Sequence, residues 1–289
     1  MNAAAQATGA LRDIVLDTPF GTLAALRRDG SAHAPRVLAL HGWLDNAASF
    51  VPLAAHLPAC TLVALDLPGH GLSAHLPASA DYTLVAAARA AFAAADALGW
   101  NRFVLLGHSL GGATATVMTA AQPLRVDRLL LIEALGGLSE AEDRTAARLR
   151  ESFDANARAR PALRVFADLE VAMRARVQAN GMAAASARLL VERGLRRVEG
   201  GHAWSSDPRL TRPTAVRMGE AQTRDLIASI RCPVHLVAAD PAPPYFTPAL
   251  RDARAALLHD GHVTVLPGGH HLHMDDPAAV ASVFAPVLR

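Results

Sequence analysis

A serine inside a glycine turn is the part of this sequence best suited to chemistry. The turn Gly107-His108-Ser109-Leu110-Gly111 follows the apolar run 103–106 and precedes the helix-compatible segment 113–122. A sharp turn from strand to helix lifts the central hydroxyl clear of the sheet, and only glycine fits two residues to either side. The spacing predicts that Ser109 is a nucleophile and that the unpaired N–H of Leu110 stabilises an oxyanion. A glycine turn with a helix-capping serine has the same pattern, so the prediction depends on partners elsewhere.

A nucleophilic serine needs a base within hydrogen-bond reach and a carboxylate that orients the base. The chain holds 13 histidines, so their positions must distinguish them. In hydrolases built on such a turn, the chain order is serine, acid, histidine, and the histidine follows the last strand. Segment 268–273 fits, because it follows the apolar run 263–266 and precedes a helix capped by Asp276, with Pro277 in its first position.

The same segment contains three histidines, His270, His271 and His273, which could also bind a metal. No acidic or histidine-rich partner motif of recognisable spacing accompanies them. We therefore expect no metal and no other cofactor.

A second oxyanion donor should come from a backbone N–H after an earlier strand. His41-Gly42-Trp43-Leu44 directly follows the apolar run 37–40. Gly42 permits a tight turn, and the Trp43 N–H could then point into the pocket. The alternative is a plain turn with Trp43 in the core.

These residues need a sheet to bring them together, and the sequence predicts one. Short, continuous apolar runs are typical of strands buried on both faces of a parallel sheet, and they recur at 37–40, 62–65, 103–106, 129–132, 234–239 and 263–266. Helical stretches lie between them, one of them beginning after Thr83. Alternating strands and helices predict an α/β fold with a doubly wound, mostly parallel sheet. Residues 12–26 should add an antiparallel hairpin at its edge.

The alternation stops after Ile132 and resumes at Val234. Residues 137–220 instead show amphipathic helical segments rich in Ala, Arg and Glu. An insertion there would lie above the carboxyl ends of the strands, where ligands bind in open α/β folds. We predict a helical cap at 137–220, between core segments 1–136 and 221–289.

Composition excludes several classes of function. The net charge is only +2 and no basic run is interleaved with aromatics, which argues against nucleic acid. The chain has no lysine, which excludes Schiff-base chemistry and lysine-dependent phosphate loops. It has no run of 18 apolar residues and no basic-then-apolar start, so we expect no membrane span and a cytoplasmic location. The oligomeric state is left open.

Four motifs together carry a resemblance to a known family. LHGWLDNAASF, DLPGHGLS, GHSLGG and GGHHLHMDDP, in this order and in these strand contexts, resemble the α/β-hydrolase superfamily, and the first two resemble its serine-hydrolase-like subgroup. The resemblance covers residues 36–133 and 230–289. It implies that Ser109 is the nucleophile and His270 the base, because members commonly show a Gly-His pair followed by an acidic residue and a proline.

The triad acid departs from the common pattern of that family. Many members place Gly-x-x-Asp after the strand predicted at 234–239, but here the glycine is missing and the only nearby acid is Asp240. A minority take the acid from the end of the strand after the nucleophile helix, which here runs straight into Glu133. A carboxylate at the end of a buried strand is costly unless it is paired. We favour Glu133 and keep Asp240 as the alternative acid.

With these assignments the chain is expected to cleave a carboxylic ester or related acyl bond of a small molecule, through a Ser-His-acid triad and an acyl-enzyme. An acyltransferase, thioesterase or perhydrolase on the same triad is the alternative within enzymes. A ligand-binding homologue with slow turnover is the alternative outside them.

Overall fold

A computed structural model describes residues 10–158 and 164–289. The start of the chain, on which the expected cytoplasmic location partly rests, lies outside the described residues. Those residues form ten strands and ten α-helices. The strands are β1 (Arg12–Thr18), β2 (Gly21–Arg28), β3 (Arg36–Leu40), β4 (Thr61–Leu65), β5 (Phe103–His108), β6 (Val126–Ile132), β7 (Leu195–Val198), β8 (Gly201–Trp204), β9 (Val234–Asp240) and β10 (Gly261–Pro267). The helices are α1 (Val51–Ala54), α2 (Leu84–Ala97), α3 (Leu110–Ala121), α4 (Thr145–Ala157), α5 (Leu169–Asn180), α6 (Ala184–Gly194), α7 (Glu220–Ala228), α8 (Pro248–Ala255), α9 (Leu272–Asp275) and α10 (Pro277–Phe284).

Eight strands form one sheet in the order β1-β2-β4-β3-β5-β6-β9-β10. The other six strands of this sheet, β4, β3, β5, β6, β9 and β10, pair in parallel. Strands β1 and β2 form the antiparallel edge hairpin that the sequence predicts. All six predicted apolar runs lie in these parallel strands. The predicted α/β fold with a mostly parallel sheet is therefore confirmed.

Helices cover both faces of the sheet, as β3 illustrates. Leu38 and Leu40 pack on the face covered by α2, α3 and α7. Val37 and Ala39 pack on the other face, against α1 and α10. Successive strand residues point to opposite faces, so a strand covered on both sides must be apolar throughout. This explains why the strands appear in the sequence as continuous apolar runs.

The segment between β6 and β9 contains α4 to α7 and the two-stranded hairpin of β7 and β8. The helices agree with the predicted cap, but the sequence analysis missed the hairpin. Its strands are only four residues long and carry two arginines and a histidine, so no apolar alternation marks them. The hairpin turns at Gly200-Gly201, where both glycines have positive φ. The cap boundaries at 137 and 220 stay a prediction.

Polar contacts bind this segment to the sheet beneath it. Arg193, in α6, forms an ion pair at 3.0 Å with the buried Asp66, which follows β4, and another at 2.6 Å with Asp13 in β1. The indole Nε1 of Trp43, after β3, donates a hydrogen bond of 2.9 Å to the Leu210 carbonyl. These contacts hold the insertion over the carboxyl ends of the parallel strands. Among the described helices none is long and apolar enough to cross a membrane.

Candidate active site

Ser109 occupies a strained turn between β5 and α3. Its φ of 50° and ψ of −113° are unusual for a residue with a side chain. The flanking glycines explain how the turn closes. A Cβ on Gly107 would lie 2.6 Å from the Gly111 carbonyl oxygen, and a Cβ on Gly111 would overlap the backbone of Leu40. Both glycines are therefore required sterically, as the spacing predicts, and Ser109 is only half-buried.

The structure brings His270 and Glu133 together. His270 lies in the loop after β10, and its Nδ1 is 3.2 Å from Glu133 Oε2. Glu133 directly follows β6 and is 2% exposed. Its other oxygen, Oε1, accepts a 2.6 Å hydrogen bond from the Ala239 N–H. The buried carboxylate is thus held by the neighbouring strand and faces the imidazole.

Asp240, the alternative acid, has a different position. It is the last residue of β9 and is exposed. Its backbone carbonyl accepts a 3.1 Å hydrogen bond from the Gly268 N–H. Among the described residues the carboxylate hydrogen-bonded to His270 belongs to Glu133.

Tyr245 is a residue of this site that the sequence analysis missed. Its hydroxyl oxygen lies 3.2 Å from His270 Nδ1, and the two rings are nearly perpendicular with centroids 5.8 Å apart. Burial and the charge of Glu133 raise the pKa of Tyr245. A single tyrosine in a proline-rich segment has no distinguishing pattern, so the sequence alone could not have found it.

The two predicted oxyanion donors lie at the expected turns. Leu110 is the first residue of α3, and Trp43 follows β3. The Trp43 side chain is 53% exposed and reaches the inserted segment, so the alternative that placed it in the core does not hold. Gly42 is needed because a Cβ there would lie 2.8 Å from both Asp45 Oδ2 and His108 Nδ1. The oxyanion role of both N–H groups stays a prediction.

A buried polar cluster of Asp45, His108 and His271 lies beside these residues. His108 Nε2 donates a 2.8 Å hydrogen bond to the His270 carbonyl. His271 Nε2 lies 3.2 Å from Asp45 Oδ2. Burial lowers the pKa of His108 to about 4. Burial opposes the ionisation of Asp45, but the neighbouring imidazoles of His108 and His271 and the charge of Arg176 hold its pKa well below the usual range.

Comparisons with known proteins agree with this geometry. Residues 35–277 match the family described as alpha/beta hydrolase fold. Serine hydrolase-like protein 2 of Homo sapiens is 30% identical, over 98% of this chain and 96% of the human protein. The crystal structure of the hypothetical protein PA1622 from Pseudomonas aeruginosa PAO1 superposes with a TM-score of 0.90 at 40% identity, covering 95% of this chain and 98% of that one.

A thioesterase domain from the curacin biosynthetic pathway is also similar, with a TM-score of 0.82 and 26% identity over 95% of this chain and 98% of the domain. The chain belongs to the α/β-hydrolase family, and within it to the serine-hydrolase-like subgroup. The resemblance inferred from the four motifs is thereby confirmed.

Proposed function

We propose that this protein is a serine hydrolase that cleaves a carboxylic ester or related acyl bond of a small molecule. The observation that supports this most strongly is the position of the His270 imidazole. The Glu133 carboxylate faces His270 Nδ1. The backbone carbonyl of His270 accepts a hydrogen bond from His108, the residue before Ser109. The base is therefore oriented by a carboxylate at one nitrogen and adjoins the turn that carries the nucleophile.

The chemistry follows from this arrangement. Ser109 Oγ attacks the acyl carbon while His270 Nε2 takes the hydroxyl proton, and the positive imidazole is stabilised by Glu133. The N–H groups of Leu110 and Trp43 stabilise the oxyanion. The proton passes from His270 to the leaving oxygen or sulfur, and an acyl-enzyme remains. Water then attacks the acyl-enzyme with His270 again as the base, which releases the carboxylic acid and restores Ser109.

Labelling with a fluorophosphonate probe tests the nucleophile. We expect the wild-type protein to be labelled and Ser109→Ala to lose both labelling and hydrolysis of activated esters. Ser79→Ala is the matched control, because Ser79 is an exposed serine outside the turn. Undiminished labelling of Ser109→Ala would refute the assignment.

A panel of p-nitrophenyl esters of rising acyl length, together with an acyl thioester, tests the substrate class. The thioester belongs in the panel because of the similarity to a thioesterase domain. Sustained turnover supports the proposed hydrolase. A single burst of one product per chain without turnover would favour a slow ligand-binding homologue instead.

A further inference from the structure

Three buried side chains beside the proposed active site converge on one point. Asp45 Oδ2 lies 3.2 Å from His271 Nε2 and 3.6 Å from His108 Nδ1, and all three atoms lie within 4.8 Å of one another. The residues are 3%, 4% and 0% exposed, respectively. Atoms this close together could hold one metal ion, since Zn²⁺ binds nitrogen and oxygen at about 2.0 to 2.2 Å.

The hydrogen bonds around His108 determine which of its atoms faces that point. Its Nε2 must be the donor to the His270 carbonyl, because a carbonyl oxygen can only accept. The neutral ring then has a bare lone pair on Nδ1, and this lone pair faces a carboxylate oxygen. Among the described residues Nδ1 has no hydrogen-bond partner. Two buried hydrogen-bond acceptors that face each other require a cation or a hydrogen-bond donor between them.

The surroundings of the cluster leave space for a small ion and orient its ligands. Gly42 lies directly beside it, and a Cβ there would be 2.8 Å from both Asp45 Oδ2 and His108 Nδ1. Arg176 donates a hydrogen bond to Asp45 Oδ1, which leaves Oδ2 for the cluster. Metal-binding histidines generally donate the N–H of their other ring nitrogen to a hydrogen-bond acceptor. His108 Nε2 does so to the His270 carbonyl.

Although the sequence motifs alone predict no metal, we propose that Asp45, His108 and His271 bind a divalent transition metal of the zinc type. Two imidazole nitrogens and one carboxylate oxygen suit Zn²⁺, Co²⁺ or Ni²⁺ rather than Mg²⁺ or Ca²⁺. The positive charge of Arg176 opposes a further cation, so the expected affinity is moderate. The ligands come from the turn after β3, the last residue of β5 just before Ser109, and the loop after β10. Binding therefore ties these three segments together next to Ser109 and His270, and the metal has a structural role.

Metal binding to chelator-treated protein tests the site directly. Zn²⁺ is titrated in competition with a metallochromic indicator, and we expect one equivalent per chain. Saturating Zn²⁺ should raise the Tm by about 3 °C or more, because it binds the folded state. The ring nitrogens of His108 and His271 should also shift in the NMR spectrum of protein labelled with ¹⁵N-histidine, which examines the wild-type chain without any substitution.

Variants identify the ligands. Asp45→Asn and His271→Gln should each weaken Zn²⁺ binding by at least about tenfold. His262→Gln is the matched control, because His262 is exposed and stacks on His235 at 4.7 Å, where adventitious metal could bind. Ser109→Ala should bind Zn²⁺ like the wild type, so this site and the proposed hydrolysis can fail separately. The proposal is overturned if no equivalent binds, as expected for a cluster bridged by water, or if only His262→Gln loses binding.

Discussion

Glu133 and His270 are 137 positions apart in the chain, yet a carboxylate oxygen of the first lies 3.2 Å from Nδ1 of the second. Glu133 has a positive φ of 58° directly after β6, and its second oxygen is bonded to the backbone of β9. The carboxylate is thus fixed before any substrate arrives. An acid held in this way can keep the imidazole in the tautomer that accepts the serine proton.

Replacing that carboxylate should show its role. We expect Glu133→Gln to lower kcat by roughly 10⁴-fold, because the amide favours the wrong tautomer of His270. Steady-state hydrolysis of an activated ester measures the effect. Asp240→Asn is the matched control and should leave kcat within about twofold. A small effect of Glu133→Gln combined with a large effect of Asp240→Asn would make Asp240 the acid.

Tyr245 presents a second oxygen to the same nitrogen of His270. If it accepts from Nδ1–H alongside Glu133, it helps to orient the ring, and Tyr245→Phe should lower kcat by about 3- to 10-fold with little change in KM. A rise in kcat would show the opposite, that the hydroxyl donates to Nδ1 and stabilises the unreactive tautomer. Tyr82→Phe is the control, since the Tyr82 hydroxyl donates to Asp207 rather than to His270.

The contact between Arg193 and Asp66 should contribute strongly to stability. Asp66 is fully buried, and its oxygens also accept hydrogen bonds from the N–H groups of Ala47 and Leu72. Removing the guanidinium leaves a buried charge with less compensation, so Arg193→Gln should lower the free energy of unfolding by about 3 kcal/mol. Urea denaturation measures this value. Arg188→Gln, which breaks an exposed pair with Glu170, should cost less than about 1 kcal/mol.

Two buried histidines should make the fold sensitive to acid. Burial lowers the pKa of His41 to about 4 and that of His70 to about 3, from an ordinary value of 6.5. His41 Nε2 accepts a 3.0 Å hydrogen bond from the Leu67 N–H, which only the neutral ring can do. Between the folded and ordinary values the unfolded chain binds more protons, so stability falls as the pH drops from about 6.5 to about 4. The loss ends once the folded state also binds these protons.

The variant His70→Asn should show this linkage. The slope of unfolding free energy against pH, measured by urea denaturation between pH 4 and 6, should fall by about 1 kcal/mol per pH unit. His33→Asn, at an exposed position, should leave the slope unchanged. An unchanged slope in His70→Asn as well would mean that His70 is not buried in its neutral form.

Local features of this protein could be predicted from the sequence because they depend on neighbours in the chain. The Thr83 cap accepts a 3.1 Å hydrogen bond from Ala86 N–H, three residues away. Asp276 caps the helix that Pro277 begins, as its position predicts. The turn around Ser109 is set by the steric demands of two glycines, and the parallel strands by the need for apolar residues on both faces.

Only the tertiary structure determines the contacts between residues that are far apart in the chain. The sequence offered two carboxylates at strand ends, and the packing of β6 beside β9 places Glu133 rather than Asp240 against His270. The chain contains thirteen histidines, and the tertiary structure places two of them, His108 and His271, beside Asp45. His271 lies 226 positions after Asp45 in the chain. Side chains of this kind share no pattern in sequence, because their distance is fixed by strand order and loop packing instead of by spacing along the chain.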